Sequence, residues 1–363
     1  MKETSFSTTL DDLPGNILDD ILVRLPIKEA VRTSILSTNW RYKWVSISKL
    51  ILDGRSIPYS TSHDKLVSNV HQIPLSLLYK CHITEFRLSE LRLNNTYCID
   101  RRILYLSWAG VKSLNLDLYF NPYYKVPASL FSCQELNFLK LYRCKVKLPP
   151  SFIGFKSLKI LNPLTVTVVD EELESLLRGC PLLERLVLEN FADNYLNISN
   201  QNLKHLSIKG AVKDITLKNG GSLMYLRIEL SSTVSNAVKE LGQICNLEKV
   251  LGCAPAIKEL RLSSYSLQVC LSKKDAVKPV ENLADLRNLF DVSLNQIESA
   301  RFYMVHGTDL EMGFIKYILG NSPVLKKMTV VPEKSLPNIA IKMTKELLQF
   351  ERSSPQVKVV FQD

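Results

Sequence analysis

Apolar side chains along this chain follow two periods, and the change from one to the other divides it. In LPGNILDDILVRLP, Leu13 to Pro26, the residues Ile17, Leu18, Ile21, Leu22 and Leu25 recur at helical spacing. Pro14 suits a first helical turn and Pro26 a stop, so the pattern predicts one short helix. A second follows over IKEAVRTSIL, with Ala30, Val31, Ser34 and Ile35 on one face. A third is expected after Ser37 as N-cap, carrying Trp40, Tyr42 and Trp44. Helices this short are marginal alone in water, and a unit of about forty residues rarely buries enough to stand by itself. The apolar side of this unit therefore needs a neighbour.

Past residue 80 the helical period gives way to L-x-x-L-x-L. Copies begin at Ile83, Val111, Leu136, Leu158, Leu183, Leu203 and Leu223, and weaker ones at Ile257, Ile297 and Leu325. Most steps fall in the twenties, the period of leucine-rich repeats. In L-x-L the leucines face inward and the x residue outward, because strand side chains alternate. One copy cannot cover its own leucines; stacked copies share a ridge, with parallel strands lining the concave side. Between strands, EELESLLRGCPLLERL, ICNLEKVLGCAPAIKEL and GFIKYILGNSPVLKKMTV repeat one order: helix, glycine, proline turn, strand. Gly179, Gly252 and Gly320 are expected to close these helices in the left-handed conformation, and Pro181, Pro255 and Pro323 to prevent continuation. Near the end, Met343, Leu347, Leu348 and Phe350 predict a helix, and Val357 to Phe361 a closing strand. KKDAVKPVEN, from Lys273, reads as a loop.

The segment LPGNILDDILVRLPIKEAVRTSILSTNWRYKW resembles an F-box of the plant kind, nearly continuously over residues 12–45. Thr38-Asn39 stands where that pattern usually carries a basic pair. FIKYILGNSPVLKKM, with a later S-P-x-x-x-V, resembles the FBD region that ends many plant F-box/leucine-rich-repeat proteins. The expected architecture is α/β: a three-helix F-box (residues 8–50), a leucine-rich-repeat solenoid (80–295) and an FBD-like C-terminal cap (296–363). The resemblance implies a substrate-recognition subunit of a Skp–cullin–F-box ubiquitin ligase. The F-box would dock on a Skp-family adaptor, and through it a cullin, while the repeats hold the target protein. By motif position Leu13, Pro14, Ile17, Leu25, Pro26 and Val31 would meet the adaptor. Trp40 and Trp44 would tie the helices together.

Composition changes this picture in one respect. Net charge is +10, yet residues 1–50 hold seven basic against six acidic side chains, so +9 lies beyond them. Reading the outward x of each copy gives Arg87, Asn115, Lys140, Asn162, Val187, Ser207, Arg227, Arg261, Arg301 and Thr329, five basic and none acidic. Aligned, these would make a positive stripe that steers an acidic ligand, with Arg87, Lys140, Arg227, Arg261 and Arg301 the target-binding candidates. Phe138, Tyr142, Tyr225 and Tyr303 flank it. Cations on strands also serve solubility and block edge pairing, so the stripe has a purely protective reading too.

Eight scattered cysteines form no C-x-x-C and are expected to be reduced and packed. No phosphate loop, dinucleotide fingerprint, nucleophile elbow or zinc-protease motif appears, and the five histidines are dispersed. No enzyme activity, cofactor or metal is expected. Without a signal-like N-terminus or an apolar run long enough to span a bilayer, the expected location is cytoplasm or nucleus, off the membrane. Two alternatives stay open. One is a Skp-binding repeat protein without a ligase role. The other is a basic nucleic-acid-binding repeat protein, which the charge permits but no RNP-like or helix-turn-helix pattern supports.

Overall fold

The computed structural model describes residues 13–25, 27–38, 40–41, 43–46, 48–53, 83–91, 97–118, 123–231, 247–271, 292, 294–333 and 337–362. The chain divides into two compact units, Met1–Leu158 and Lys159–Asp363.

The first unit opens with α1 (Gly15–Arg24) and α2 (Ile27–Arg32). Pro14 is the N-cap of α1, extended at φ −54° and ψ 142°, and its carbonyl accepts from the Ile17 and Leu18 amides. The helix begins at Gly15, one residue later than a proline in the first turn would place it. At the other end Leu25 is extended, with ψ 143°, as the residue before a proline is driven to be. Pro26 and Tyr42, like the loop expected from Lys273, lie outside the described residues.

Among the described residues the expected third α-helix does not form. Thr33–Ile35 and Lys43–Ser46 are single 3-10 turns. Trp40 lies in a turn between them, its amide donating to Ser37 O and its carbonyl accepting from the Lys43 amide, 3.2 Å each. Ser37 and Thr38 compete for backbone hydrogen bonds and are poor helix formers. The turns still bring both indoles into one cluster with Leu18, Leu22 and Ala30, with Leu13 and Leu25 packed half-buried against it. The switch to 3-10 geometry after Arg32 changes the rotation per residue, and Ile35 parts from the face it is expected to share with Ala30: Ala30 is buried and Ile35 exposed.

The sheet of this unit runs in parallel through β1 (Lys49–Asp53), β2 (Glu85–Leu91), β3 (Ser113–Leu118) and β5 (Phe138–Tyr142). Two short strands, β4 (Tyr124–Lys125) and β6 (Cys144–Lys145), pair separately. α3 (Tyr97–Trp108) buries Ile99, Ile103 and Leu106. Strand β1 has no counterpart among the copies legible in the sequence. Leu50 nevertheless lies opposite Phe86, so the sheet starts immediately after the helical unit.

The second unit is a run of parallel strands: β7 (Ile160–Leu164), β8 (Arg185–Ser199), β9 (His205–Lys218), β10 (Tyr225–Leu230), β11 (Glu259–Ser263), β12 (Ser299–Val305), β13 (Lys327–Pro332) and β14 (Lys358–Phe361). The helices are α4 (Asp170–Arg178), α5 (Leu247–Gly252), α6 (Ser264–Leu271), α7 (Asp309–Asn321) and α8 (Pro337–Gln349). Every opening residue of the ten copies, Ile83 to Leu325, is buried, as are the inward pairs such as Leu186/Leu188, Leu226/Ile228 and Phe302 with Ala300. The carbonyl ahead of a strand commonly accepts two amides of the next copy. Lys204 O takes Met224 and Tyr225, Met224 O takes Lys258 and Glu259, and Lys258 O takes Glu298 and Ser299. That shared acceptor locks the register.

The glycine expectation fails. Gly179 is right-handed at φ −73°, and none of Gly179, Gly252 or Gly320 has positive φ. At the first of these turns the chain stays right-handed because Cys180 folds back, its thiol on Leu176 O and its carbonyl accepting from the Leu183 amide. Left-handed residues recur instead just past the L-x-L of several copies. Among them are Arg143, Thr165, Asn190 and Met304, with φ between 53° and 56°, and Gly210 at 141°. Each stands three residues beyond the outward x, and register shifts mark bulges beside Asn190 and Met304.

The C-terminal region supplies β13, α8 and the closing strand β14, with Met343 and Leu347 of α8 buried and Leu348 exposed. A buried polar hub fastens its first helix. Thr308 and Glu311 form a reciprocal capping box at the start of α7. The fully buried Glu311 carboxylate accepts from the Ser264 hydroxyl and from the amides of His306 (3.1 Å) and Thr308 (2.9 Å). Since Ser264 donates to Glu311, its oxygen accepts from His306 Nδ1 at 2.8 Å, which sets that ring's tautomer.

Candidate functional site

Two surfaces carry the sequence-predicted residues. The first is the helical unit. With Leu18, Leu22, Ala30, Trp40 and Trp44 turned inward, three large apolar side chains among the described residues face water: Ile17 is 41% exposed, Leu36 56% and Ile35 87%. Pro14, three residues before Ile17, is exposed as well. Of the six adaptor-binding candidates, Pro14 and Ile17 are exposed, while Leu13 and Leu25 are half-buried against the tryptophan cluster. Pro26 and the side chain of Val31 lie outside the described residues. Sequence reading does not single out Leu36 or Ile35 as contact residues, because it extends helical periodicity through a segment that turns as 3-10.

The second surface is the sheet face opposite the leucines. Register places Arg87 beside Asn115 and Asn115 beside Lys140 in the first unit. In the second unit Val187, Ser207, Arg227, Arg261, Arg301 and Thr329 stand side by side on successive strands. The stripe exists as an alignment, but its charge is largely compensated. Arg227 is held by both oxygens of Glu229 (2.9 and 2.8 Å), two residues along its own strand. Arg261 donates through Nε to Glu259 at 2.7 Å. Lys140 stands 3.6 Å from Asp117. The purely positive stripe is corrected in this respect. Counting only one column overlooks carboxylates at i±2, which share the same face of a strand.

Aromatic rings knit this face. His205 and Tyr225 stack at 3.9 Å with planes 9° apart. From the opposite flank Arg261 lies over Tyr225, Cζ 5.3 Å from the ring centre, and its Nη1 reaches the Tyr303 hydroxyl at 3.5 Å. Arg301 in turn lies over Tyr303 at 5.7 Å and donates to Gln362 Oε1 at 2.9 Å. Burial, aided by Arg185, Arg261 and Arg227, pulls the His205 pKa down to about 4, so this ring stays neutral at pH 7. Nothing in the sequence pattern singles out this histidine; only strand register puts it against Tyr225.

Among the described residues no group of three or more metal-ligating side chains assembles, and no helix is long and apolar enough to cross a membrane. Cys133, Cys144 and Cys180 are buried, as expected, whereas Cys253 is exposed. Burial pushes the thiols of Cys133 and Cys144 up to about 12, so neither is a thiolate nucleophile at neutral pH.

Comparison with known families and proteins matches this layout. Residues 10–52 match the F-box domain, and residues 293–330 the FBD domain. Residues 99–296 match the LRR repeats described for FBD-associated F-box protein At5g56370. The chain is similar to F-box/FBD/LRR-repeat protein At1g13570 of Arabidopsis thaliana, with 33% identity across 97% of this chain and 98% of that protein. It is also similar to F-box/LRR-repeat protein 13 of the same plant, 23% identical across 97% and 95% of the two chains. F-box/FBD/LRR-repeat protein At1g51370 is 33% identical across 55% of this chain and 45% of its own length.

Proposed function

The chain belongs to the F-box/FBD/LRR-repeat family, and from that premise we propose that it is the substrate-recognition subunit of a Skp–cullin–F-box ubiquitin ligase. The observation that carries the reading is the exposed trio Ile17, Ile35 and Leu36 above a closed tryptophan core. Such a small helical unit gains nothing for its own stability from aliphatic side chains held in water. Covered by a Skp-family adaptor, they supply apolar burial to the complex. The repeats then present the sheet face to a target protein. The subunit is a non-enzymatic adaptor: it raises the local concentration of target lysines near an enzyme loaded elsewhere in the assembly. Cytoplasm or nucleus is the proposed location, where such assemblies would find it.

Co-purification with a Skp adaptor and cullin tests this. Ile35→Asp places a charge where the adaptor would sit and is expected to abolish adaptor capture while circular dichroism stays unchanged. In cells the same variant is expected to prolong the half-life of any captured target. Undiminished adaptor binding by Ile35→Asp, or no binding by the native chain to any Skp adaptor, defeats the proposal. Adaptor binding with unaltered target half-life would favour a Skp-binding protein without ligase duty.

A further inference from the structure

Charge on the second unit is distributed unevenly, and the unevenness marks one end of the sheet. On β10 and β11 the arginines have carboxylate partners, Arg227 with Glu229 and Arg261 with Glu259. Along the sheet margin Lys204 pairs with Glu184, and both Lys258 and Lys326 pair with Glu298. β12 to β14 differ. Their positions on the same face are Ser299, Arg301, Tyr303, Lys327, Thr329, Val331, Lys358 and Val360, without a carboxylate among them. Lys327 stands directly opposite Lys358 in the ladder, both exposed. Like charges facing each other across strands destabilise a sheet; the in-register Arg227 and Arg261 are relieved by Glu229 and Glu259, whereas the face around Lys327 and Lys358 offers no carboxylate on β12 to β14.

We propose that this FBD end of the sheet, Arg301, Lys327 and Lys358 beside Tyr303, is where the target protein docks, and that the docked element is an extended segment rich in Asp and Glu. The inference rests on the target-recognition reading above and gives the FBD strands the capturing role. Arg301 is already immobilised, stacked on Tyr303 and bonded to Gln362 across β13, so little side-chain freedom is lost on binding. Lys327 and Lys358 share one row, and Arg301 stands two residues further along β12; with strands about 4.8 Å apart the three cations span about 12 Å, the reach of three to four residues of extended chain. A single phosphate does not fill that span. Nucleic acid fits less well. Glu229 and Glu259 interrupt any backbone track toward β10, and the Tyr225 ring is covered by His205 on one side and Arg261 on the other, which leaves it closed to bases.

The test is fluorescence anisotropy with the full-length chain and a fluorescein-labelled octa-glutamate peptide at two salt concentrations. Lys327→Glu/Lys358→Glu, at two exposed positions, is expected to weaken binding about tenfold or more and flatten its salt dependence. Lys156→Glu/Lys249→Glu changes net charge equally and is expected to stay within about threefold. Equal weakening by both pairs overturns the proposal, as does failure of the native chain to bind the peptide. Tighter capture of a phosphoserine peptide or a 20-nucleotide DNA through the same lysines overturns it as well. Adaptor co-purification is read on each sample. Lost adaptor binding by the native chain would defeat the ligase reading alone, and peptide binding indifferent to Lys327 and Lys358 would defeat this one alone.

Discussion

Truncating the exposed trio of the helical unit one residue at a time should rank their contributions to adaptor binding by how much of each is still uncovered. Isoleucine or leucine to alanine removes three carbons, worth about 0.8 kcal/mol each when fully transferred from water to an apolar contact. Ile35 is 87% exposed, so nearly all of that, about 2 kcal/mol, remains for a partner to gain. Leu36 at 56% retains about 1.3 kcal/mol, and Ile17 at 41% about 1 kcal/mol. At 1.4 kcal/mol per decade the expected losses of affinity are about 30-fold, 10-fold and 5-fold. The assay is calorimetric titration of each variant with a purified Skp adaptor, with urea unfolding measured in parallel. Stability should hold for Ile35→Ala, because its side chain touches little of the fold. Leu22→Ala should instead cost about 2–5 kcal/mol of unfolding free energy, since it empties the centre of the tryptophan cluster. If Ile35→Ala leaves affinity intact, or destabilises the chain as much as Leu22→Ala, the partition into inward and outward faces is wrong.

Four further outcomes follow from individual residues. A Cβ on Gly210 would stand 2.5 Å from the Phe191 carbonyl oxygen at a φ of +141°, so Gly210→Ala should cost about 2–4 kcal/mol. A Cβ on Gly320, inside α7, meets nothing, so Gly320→Ala should gain about 0.5–1 kcal/mol; thermal melts read both. Glu311→Ala strands three donors on Ser264, His306 and Thr308 and should lower stability by about 3–5 kcal/mol in urea titrations, with Glu311→Gln less harmful. The His205 pKa is lowered from 6.5 to about 4 in the folded chain. The unfolded chain therefore binds the proton first, and stability contributed by the neutral ring is complete above pH 6.5 and lost as pH falls toward 4. Discounted for partial exposure, the loss is about 1–2 kcal/mol, and His205→Phe should remove that slope from a pH series of melts.

Much of the ladder is legible in the order of residues. Each copy from Ile83 to Leu325 buries its opening residue, because L-x-x-L-x-L encodes burial directly through alternation. The column of outward residues is also readable, since equal spacing in sequence becomes equal register in parallel strands. The helical unit is half readable. Leu18 and Leu22 turn inward as their period requires, but Ile35 does not keep the face of Ala30, and among the described residues after Ser37 the chain forms a 3-10 turn rather than an α-helix. Short turns obey local backbone competition rather than periodicity. The left-handed positions stay hidden because Arg143, Thr165, Asn190, Gly210 and Met304 share no residue type. At Asn190 and Met304 the positive φ accompanies a bulge against the neighbouring copy, a property of pairing.

Sequence alone determined that ridges of leucine would stack and which side chains would line the opposite face, since both follow from a periodicity of two. Only the tertiary structure decided which cations on that face keep an open charge. Neutralisation depends on what lies within about 4 Å. Arg261 meets Glu259, and Lys326 meets Glu298 from another repeat, while Lys327 has Lys358 as its register partner on the neighbouring strand. Those distances are fixed by strand register and side-chain direction, and a one-dimensional string holds neither.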